Sequence, residues 1–264
     1  MTRLVGSIER FYDDGAAQYS LLSEDRDFER QARCLAEEIA GVPRGGRYLE
    51  LFAGPARHAI ELEQRYDYTS VALDASLGMR DVATRPGGLA AERYITSVLP
   101  TLPPVAALGP AFDLVSILRY STGYLAPTEL AELLAKLAPV VAPAARLVLE
   151  LHDLDLVRDD FRSLDIRDRV VEIGDGRSLR CIWPAGPLRW TKGDWTVEMD
   201  VTIQILVGDR VARESRFVSI ERIYARSEIA GLASATGRWR LASHDADAIA
   251  ESFPGSTMVV LERI

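Results

Sequence analysis

Cysteine, histidine and lysine are all scarce in this chain of 264 residues, and each scarcity narrows what it can be. The two cysteines, Cys34 and Cys181, stand far apart, which excludes a disulfide framework and fits a reducing cytoplasm. The three histidines, His58, His152 and His244, show no ligand spacing with one another or with cysteine, so no metal is expected. Lys136 and Lys192 are the only lysines, the net charge is −8, and there is no basic block. With no cluster of cations to displace counterions, nucleic acid is not an expected partner. No apolar run reaches the length of a membrane span, and residues 1–14 carry acids without an apolar core. Neither membrane insertion nor a signal peptide is expected.

What is present is 48% hydrophobic content, enough for one large α/β domain and an appendage. Apolar periodicity predicts amphipathic helices over about 4–19 and 24–40, the second stopped by Gly41. Strands follow at about 47–52, 69–74, 92–97, 111–118 and 145–152, alternating with helices near 56–65, 76–84 and 128–141. That alternation implies a doubly wound, mostly parallel, Rossmann-like sheet. The pattern then changes. A hairpin around Gly174-Asp175-Gly176 and a cleanly alternating run from Thr196 to Ile205, paired with Arg210 to Tyr224, predict an antiparallel β insertion over 165–224. A helix near 226–236, expected to be the last, and strands at about 238–245 and 256–263 restore the α/β pattern.

The chemistry concentrates in Arg47-Tyr48-Leu49-Glu50-Leu51-Phe52-Ala53-Gly54-Pro55-Ala56-Arg57-His58 and, twenty residues past its glycine, Val71-Ala72-Leu73-Asp74. Strand, tight turn, helix start, second strand and acid bring backbone N–H groups and a carboxylate to neighbouring strand ends. An adenosine-containing ligand is held in that way, with the acid on its ribose. A dinucleotide loop wants Gly-x-Gly-x-x-Gly, and the corresponding residues are Phe52, Gly54 and Arg57. A nicotinamide dehydrogenase is therefore disfavoured.

Glu50 to Ala59 resembles motif I of the class I S-adenosylmethionine-dependent methyltransferases, acid-x-Gly-x-Gly-x-Gly, read here as Glu50, Phe52, Gly54, Ala56. Asp74-Ala75-Ser76 with Met79 resembles motif II, Phe112 to Leu118 the fourth strand, and Ala145 to Leu151 the fifth, so the resemblance spans residues 24–152. It implies a seven-stranded core over 43–164 and 225–264, an N-terminal helical lid over 1–42, and the insertion on the substrate side. It also implies a cofactor, S-adenosylmethionine, and a site lined by Glu50, Phe52, Ala53, Gly54, Asp74, Ala75, Met79, Ser97, Val98, Leu118 and Tyr19. The family's acid after the third strand is absent, so Ser97 or a backbone group stands in for it.

Several residues carry two readings. Asp74 is a ribose acid or a helix N-cap. Glu50, costly inside an apolar strand if unpaired, pairs with Arg57 or turns toward the loop amides or the cofactor amine. His58 is expected to be packed or capping. His152, at the end of the fifth strand, takes a proton from the acceptor or bonds the next loop. Arg119 clamps a carboxylate or braces its loop. Tyr12 and Tyr19 reach over the cofactor or pack their helix. Tyr120, Tyr124, Trp183, Trp195 and Tyr224 are candidate substrate contacts; Trp183, Trp190 and Trp195 equally suit the core of a small sheet. Methyl transfer from a sulfonium needs alignment more than a nucleophilic side chain. The expected activity is therefore methyl transfer to a small-molecule O, N or C acceptor; the rival is a non-methylating protein on the same fold. A homodimer is compatible with the sequence.

Overall fold

The computed structural model describes residues 5–152, 154, 167–191, 193–243 and 246–264. Asp153, Lys192, His244 and the first two residues of the expected insertion lie outside the described residues. The chain begins with β1 (Val5–Ser7), α1 (Ile8–Asp14), α2 (Ala16–Leu22) and α3 (Phe28–Arg33), which runs into a π-helical turn, Cys34–Ile39. The alternating part is β2 (Arg47–Leu51), α4 (Arg57–Tyr66), β3 (Thr69–Asp74), α5 (Leu77–Ala83), β4 (Tyr94–Thr96), α6 (Val105–Leu108), β5 (Phe112–Ile117), α7 (Pro127–Leu137) and β6 (Val141–Leu151). Then come β7 (Arg167–Gly174), β8 (Arg177–Trp183), β9 (Arg189–Trp190), β10 (Thr196–Val207) and β11 (Arg210–Arg222). The chain closes with α8 (Arg226–Ala235), β12 (Trp239–Leu241), α9 (Ala246–Ser252) and β13 (Thr257–Arg263).

The central sheet has seven strands in the order β12-β13-β6-β5-β2-β3-β4. β2 pairs in parallel with both β3 and β5, β5 with β6, and β13 runs antiparallel between β6 and β12. Alternate residues of each strand feed two apolar layers, as the pleat requires. Leu49, Leu51, Val115 and Leu149 face α7 and α8, whereas Tyr48, Ala72, Leu114 and Val148 face α4, α5 and the π-helical turn. Both faces are covered, which is why these strands read as nearly continuous apolar runs. α7 packs through Leu130, Leu133, Leu134 and Leu137, spaced at i, i+3, i+4 and i+7, and Glu129 closes its start by accepting from the Ala126 amide.

The second sheet is antiparallel over β11-β10-β8-β7, with β9 on the flank of β10 and β1 added in parallel to β11. The first expected helix is thus a strand and two short helices. They part at Gly15, where a Cβ would lie 2.5 Å from the Phe11 ring. α8 is not the last helix. α9 follows β12, and its two apolar anchors, Ile249 in α9 and Phe253 just after it, are too few to announce it by periodicity. Ile8 and Phe11 of α1 pack on Leu179, Val201 and Ile203, so an apolar cluster joins the N-terminal helices to the antiparallel sheet.

Candidate cofactor and acceptor site

The β2–α4 loop takes left-handed backbone three times, at Phe52 (φ 51°), Gly54 (φ 51°) and Ala56 (φ 55°). Only glycine adopts that region without cost, so the loop keeps a glycine-loop path although two of its glycines are replaced. The Ala53 amide bonds the Leu73 carbonyl at 3.0 Å, and the Gly54 amide bonds Asp74 Oδ2 at 2.8 Å. Asp74 Oδ1 accepts from the Ser76 amide at 2.9 Å. Asp74 is thus not the N-cap of α5; Ser76 is, its Oγ accepting from the Met79 amide at 3.0 Å. A carboxylate has about four acceptor positions, so these two amides leave capacity on both oxygens. Burial pushes the Asp74 carboxyl up from its usual range, against the amides of Ser76, Gly54 and Ala75, which pull it down.

Glu50 turns away from this opening. Its Oε1 lies 3.0 Å from His58 Nδ1 and its Oε2 accepts from the Ala59 amide at 2.9 Å. The far ring nitrogen of His58 meets Gln31 Oε1 at 2.9 Å. The expected pairing with Arg57 is not formed: that guanidinium sits over the Phe28 ring, 5.4 Å from its centroid. Met79 is buried and Ala75 exposed beside Asp74. Ser97 donates to the Thr101 carbonyl at 2.7 Å, Val98 is exposed and Leu118 is buried. Tyr94 is one contact that motif reasoning did not single out: its hydroxyl donates to the Gly54 carbonyl at 2.8 Å.

At the end of β6 the buried Glu150 carboxylate receives both guanidinium nitrogens of Arg26, at 2.7 and 2.8 Å, the Ser256 hydroxyl at 2.6 Å and the Arg119 amide at 2.6 Å. Burial alone would raise the carboxyl, but Arg26, Ser256 and the Arg119 amide hold it at about 2. Arg119 itself braces: its Nη1 bonds Asp25 Oδ1 at 3.1 Å and the Ser23 carbonyl at 3.3 Å. His152 stacks on Tyr120, centroids 3.7 Å apart, and the Tyr120 hydroxyl reaches Ser256 Oγ at 3.0 Å. Tyr224 lies inside the core and donates to the Leu125 carbonyl at 2.7 Å, away from the opening. Trp183 is packed between two apolar clusters of the antiparallel sheet, with Trp190 in one of them, while Trp195 is exposed.

Over the loop stands an aromatic wall. Tyr19 lies edge-on to Tyr12 at 5.1 Å, Tyr12 faces Tyr124 at 6.4 Å, and Tyr124 faces Phe52 at 6.3 Å. A Cβ built on Gly54 would meet Tyr19 at 3.9 Å and Met79 sulfur at 4.0 Å, ordinary van der Waals contact, so the loop glycine lies against this wall. Behind it lie Ser219 and Glu221 of β11, which sequence reasoning passed over; their signal is a pair of polar residues on the inward face of an alternating strand.

Among solved structures, the chain is similar to DesVI of Streptomyces venezuelae, with TM-score 0.70, 17% identity, and 95% of this chain and 97% of that one covered. It is similar to the sugar N-methyltransferase KedS8 from a Streptoalloteichus species, with TM-score 0.70, 20% identity, and coverage of 100% and 95%. It is also similar to the S-adenosylmethionine-bound CalS10, an amino pentose methyltransferase from Micromonospora echinaspora, with TM-score 0.61, 19% identity and full coverage of both chains. The fold is that of the class I methyltransferases. No family model and no curated protein matches the sequence. The methyltransferase fold accounts for the sheet order, and it leaves the chemistry of this chain to be argued from its own residues.

Proposed function

We propose that this protein is an S-adenosylmethionine-dependent methyltransferase of a small-molecule O, N or C acceptor, working in the cytoplasm, in specialised metabolism. The observation that carries the reading is the loop. Phe52 and Ala56 hold left-handed backbone at a cost of about 1–2 kcal/mol each, and Asp74 fixes the loop through the Gly54 amide. A strand-to-helix turn without a ligand has no need of that strain. The neighbours' chemistry agrees: KedS8 acts on a sugar nitrogen and CalS10 belongs to calicheamicin biosynthesis.

The residues fit a nucleoside sulfonium. Asp74 retains acceptor capacity for a ribose diol, Gly54 presents no side chain, and Tyr12, Tyr19, Phe52 and Tyr124 supply aromatic faces suited to a cation. The cofactor supplies the electrophilic methyl group. The chain supplies the rest: Asp74 orients the nucleoside, the aromatic wall excludes water, and the acceptor is held in line for displacement.

The rival is a non-methylating protein of this fold, favoured by the Phe52 ring at a glycine position. Calorimetry with S-adenosylmethionine decides between them. We expect binding at micromolar concentration, weakened roughly 10- to 100-fold in Asp74→Asn, the loss of about 1.5–3 kcal/mol of charge-assisted bonding. No heat from the wild-type protein at about 1 mM cofactor, some 4 kcal/mol of binding, favours the rival.

A further inference from the structure

β11 presents Phe217, Ser219 and Glu221 on one face, by the alternation of a strand, and Ile223 follows just past its end. Phe217 and Ile223 pack in apolar clusters, whereas Ser219 and Glu221 between them are buried polar groups. A face that needed only to pack would carry apolar residues there as well. The polar pair meets Tyr124 because Gly123 lets the two segments touch: a Cβ on Gly123 would lie 2.9 Å from the Arg222 carbonyl oxygen and 3.3 Å from Glu221 Cβ.

The hydrogen bonds have a direction. Ser219 Oγ donates to Glu221 Oε1 at 2.7 Å, and the Tyr124 hydroxyl lies 3.3 Å from Ser219 Oγ and 3.5 Å from Glu221 Oε1. The Tyr12 and Tyr124 hydroxyl oxygens are 2.8 Å apart. With an ionised carboxylate at one end, the hydroxyl protons point toward Glu221, and the phenol oxygens keep lone pairs able to accept a proton.

We propose that Glu221, acting through Ser219 and Tyr124, is the proton sink for the methyl acceptor. This rests on the methyltransferase reading above and adds a positioning residue to it. The attacking atom's lone pair forms the bond to the methyl carbon as the carbon–sulfur pair leaves with sulfur. The proton of the attacking atom passes to the Tyr124 oxygen, the phenol proton to Ser219 Oγ, and the Ser219 proton to Glu221 Oε1. The two hydroxyls end as they began and the carboxylate ends protonated. The acceptor is therefore a group that carries a proton on its attacking atom: a hydroxyl, a neutral amine, or an ammonium that first passes one proton down the relay and so frees the lone pair that attacks. Among the described residues, titratable groups facing the relay are Tyr12 and Tyr19 from the N-terminal helices, Tyr124, and Glu221. Burial, followed by Glu221, pushes Tyr124 well up, and burial does the same to Tyr12, so both phenols stay neutral and relay protons without storing them.

The test has two arms, each run on wild type and on Glu221→Gln, Glu221→Asp and Ser219→Ala proteins with matched melting curves. The first needs no cofactor: a carboxylate bonded to phenols shifts their near-ultraviolet absorption when it titrates. We expect an acid-range tyrosine difference band in wild type that is absent in Glu221→Gln. The second arm measures transfer of a labelled methyl group to D-glucosamine and D-glucose, an amine and a hydroxyl acceptor of one skeleton. We expect kcat to fall about 100-fold in Glu221→Gln with KM little changed, loss of the acid limb of the kcat profile, and partial rescue in Glu221→Asp. Cofactor affinity should be unaltered in the variants, which separates failure of the relay from failure of the methyltransferase reading. A tyrosine band that ignores the carboxyl, or a Glu221→Gln protein with the wild-type kcat profile, overturns the proposal.

Discussion

Replacing Glu150 by glutamine should remove one large part of the acid dependence of this protein's stability. The side chain is fully buried, and its carboxylate holds the Arg26 fork, the Ser256 hydroxyl and the Arg119 amide. A carboxyl that titrates at 4.5 when unfolded and at about 2 when folded stabilises the folded state. At ~1.4 kcal/mol per pH unit that amounts to about 3 kcal/mol. Because the folded value is the lower one, the contribution is complete above the unfolded value and is lost as the pH falls from about 5 toward 2. Glu150→Gln keeps the shape and one acceptor oxygen but leaves the Arg26 guanidinium, whose side chain is only 10% exposed, without its charge partner. Breaking a buried pair in this way costs about 3–5 kcal/mol, in line with the titration figure. Urea unfolding followed by tryptophan fluorescence at pH 7, 5, 4 and 3 measures both proteins. We expect the variant to be about 3 kcal/mol less stable at pH 7, and the gap to close as the pH falls. Other depressed carboxyls, Asp168, Asp200 and Glu262, titrate in both proteins and cancel in the difference. A gap below about 1 kcal/mol at pH 7, or one that does not change with pH, would refute the reasoning.

Two further substitutions probe the backbone. Ala56→Gly relieves about 1–2 kcal/mol of left-handed strain, loses about 0.8 kcal/mol of methyl burial, and adds about 0.4–1 kcal/mol of unfolded-chain entropy. The terms nearly cancel, so the melting temperature should move by only a few degrees, whereas Ala56→Val should melt far lower; equal melting of the two would contradict the strain assignment. Gly78→Ala should loosen the N-terminal helices, because its Cβ would lie 2.2 Å from the Asp13 carbonyl oxygen. Faster hydrogen exchange across α1 and α2, with the central sheet unchanged, is the expected result, and unchanged exchange in α1 counts against it.

The parts of the fold legible in the sequence were those written in local periodicity. β3 and the Asp74 turn follow from an apolar run with its punctuation, and the hairpin of β7 and β8 from its glycine turn. What stayed hidden depends on residues distant in sequence. Glu50 was readable as a buried charge in need of a partner; His58 of α4 is that partner, and Gln31, which bonds the far side of the His58 ring, arrives only when α3 packs on α4. Arg119 and Tyr224 carried types suited to a pocket; Asp25 and the Leu125 carbonyl, supplied by other segments, claimed them. Ser219 and Glu221 were visible as polar residues in an alternating strand, yet nothing local states which face of the strand turns inward.

A single device recurs at the carboxyl ends of the central strands. Backbone strain sits at Phe52 and Ala56 after β2 and at Arg119 and Tyr120 after β5. Beside each place a carboxylate accepts a bond from a backbone amide: Glu50 from Ala59, Asp74 from Gly54 and Glu150 from Arg119. A charge-assisted bond of this kind contributes about 1.5–3 kcal/mol, comparable with the ~1–3 kcal/mol cost of a residue held in such a conformation. The loops around the site are therefore held by acids of the central strands, which is how a motif with two glycines replaced can keep the glycine path. Glu221 bonds the Ser219 and Tyr124 hydroxyls, groups that can hand on a proton, as Glu150 does through Ser256. If Glu221 were one more brace, its glutamine variant would lower stability and leave the pH dependence of turnover alone; if it is the sink, the pH dependence moves first.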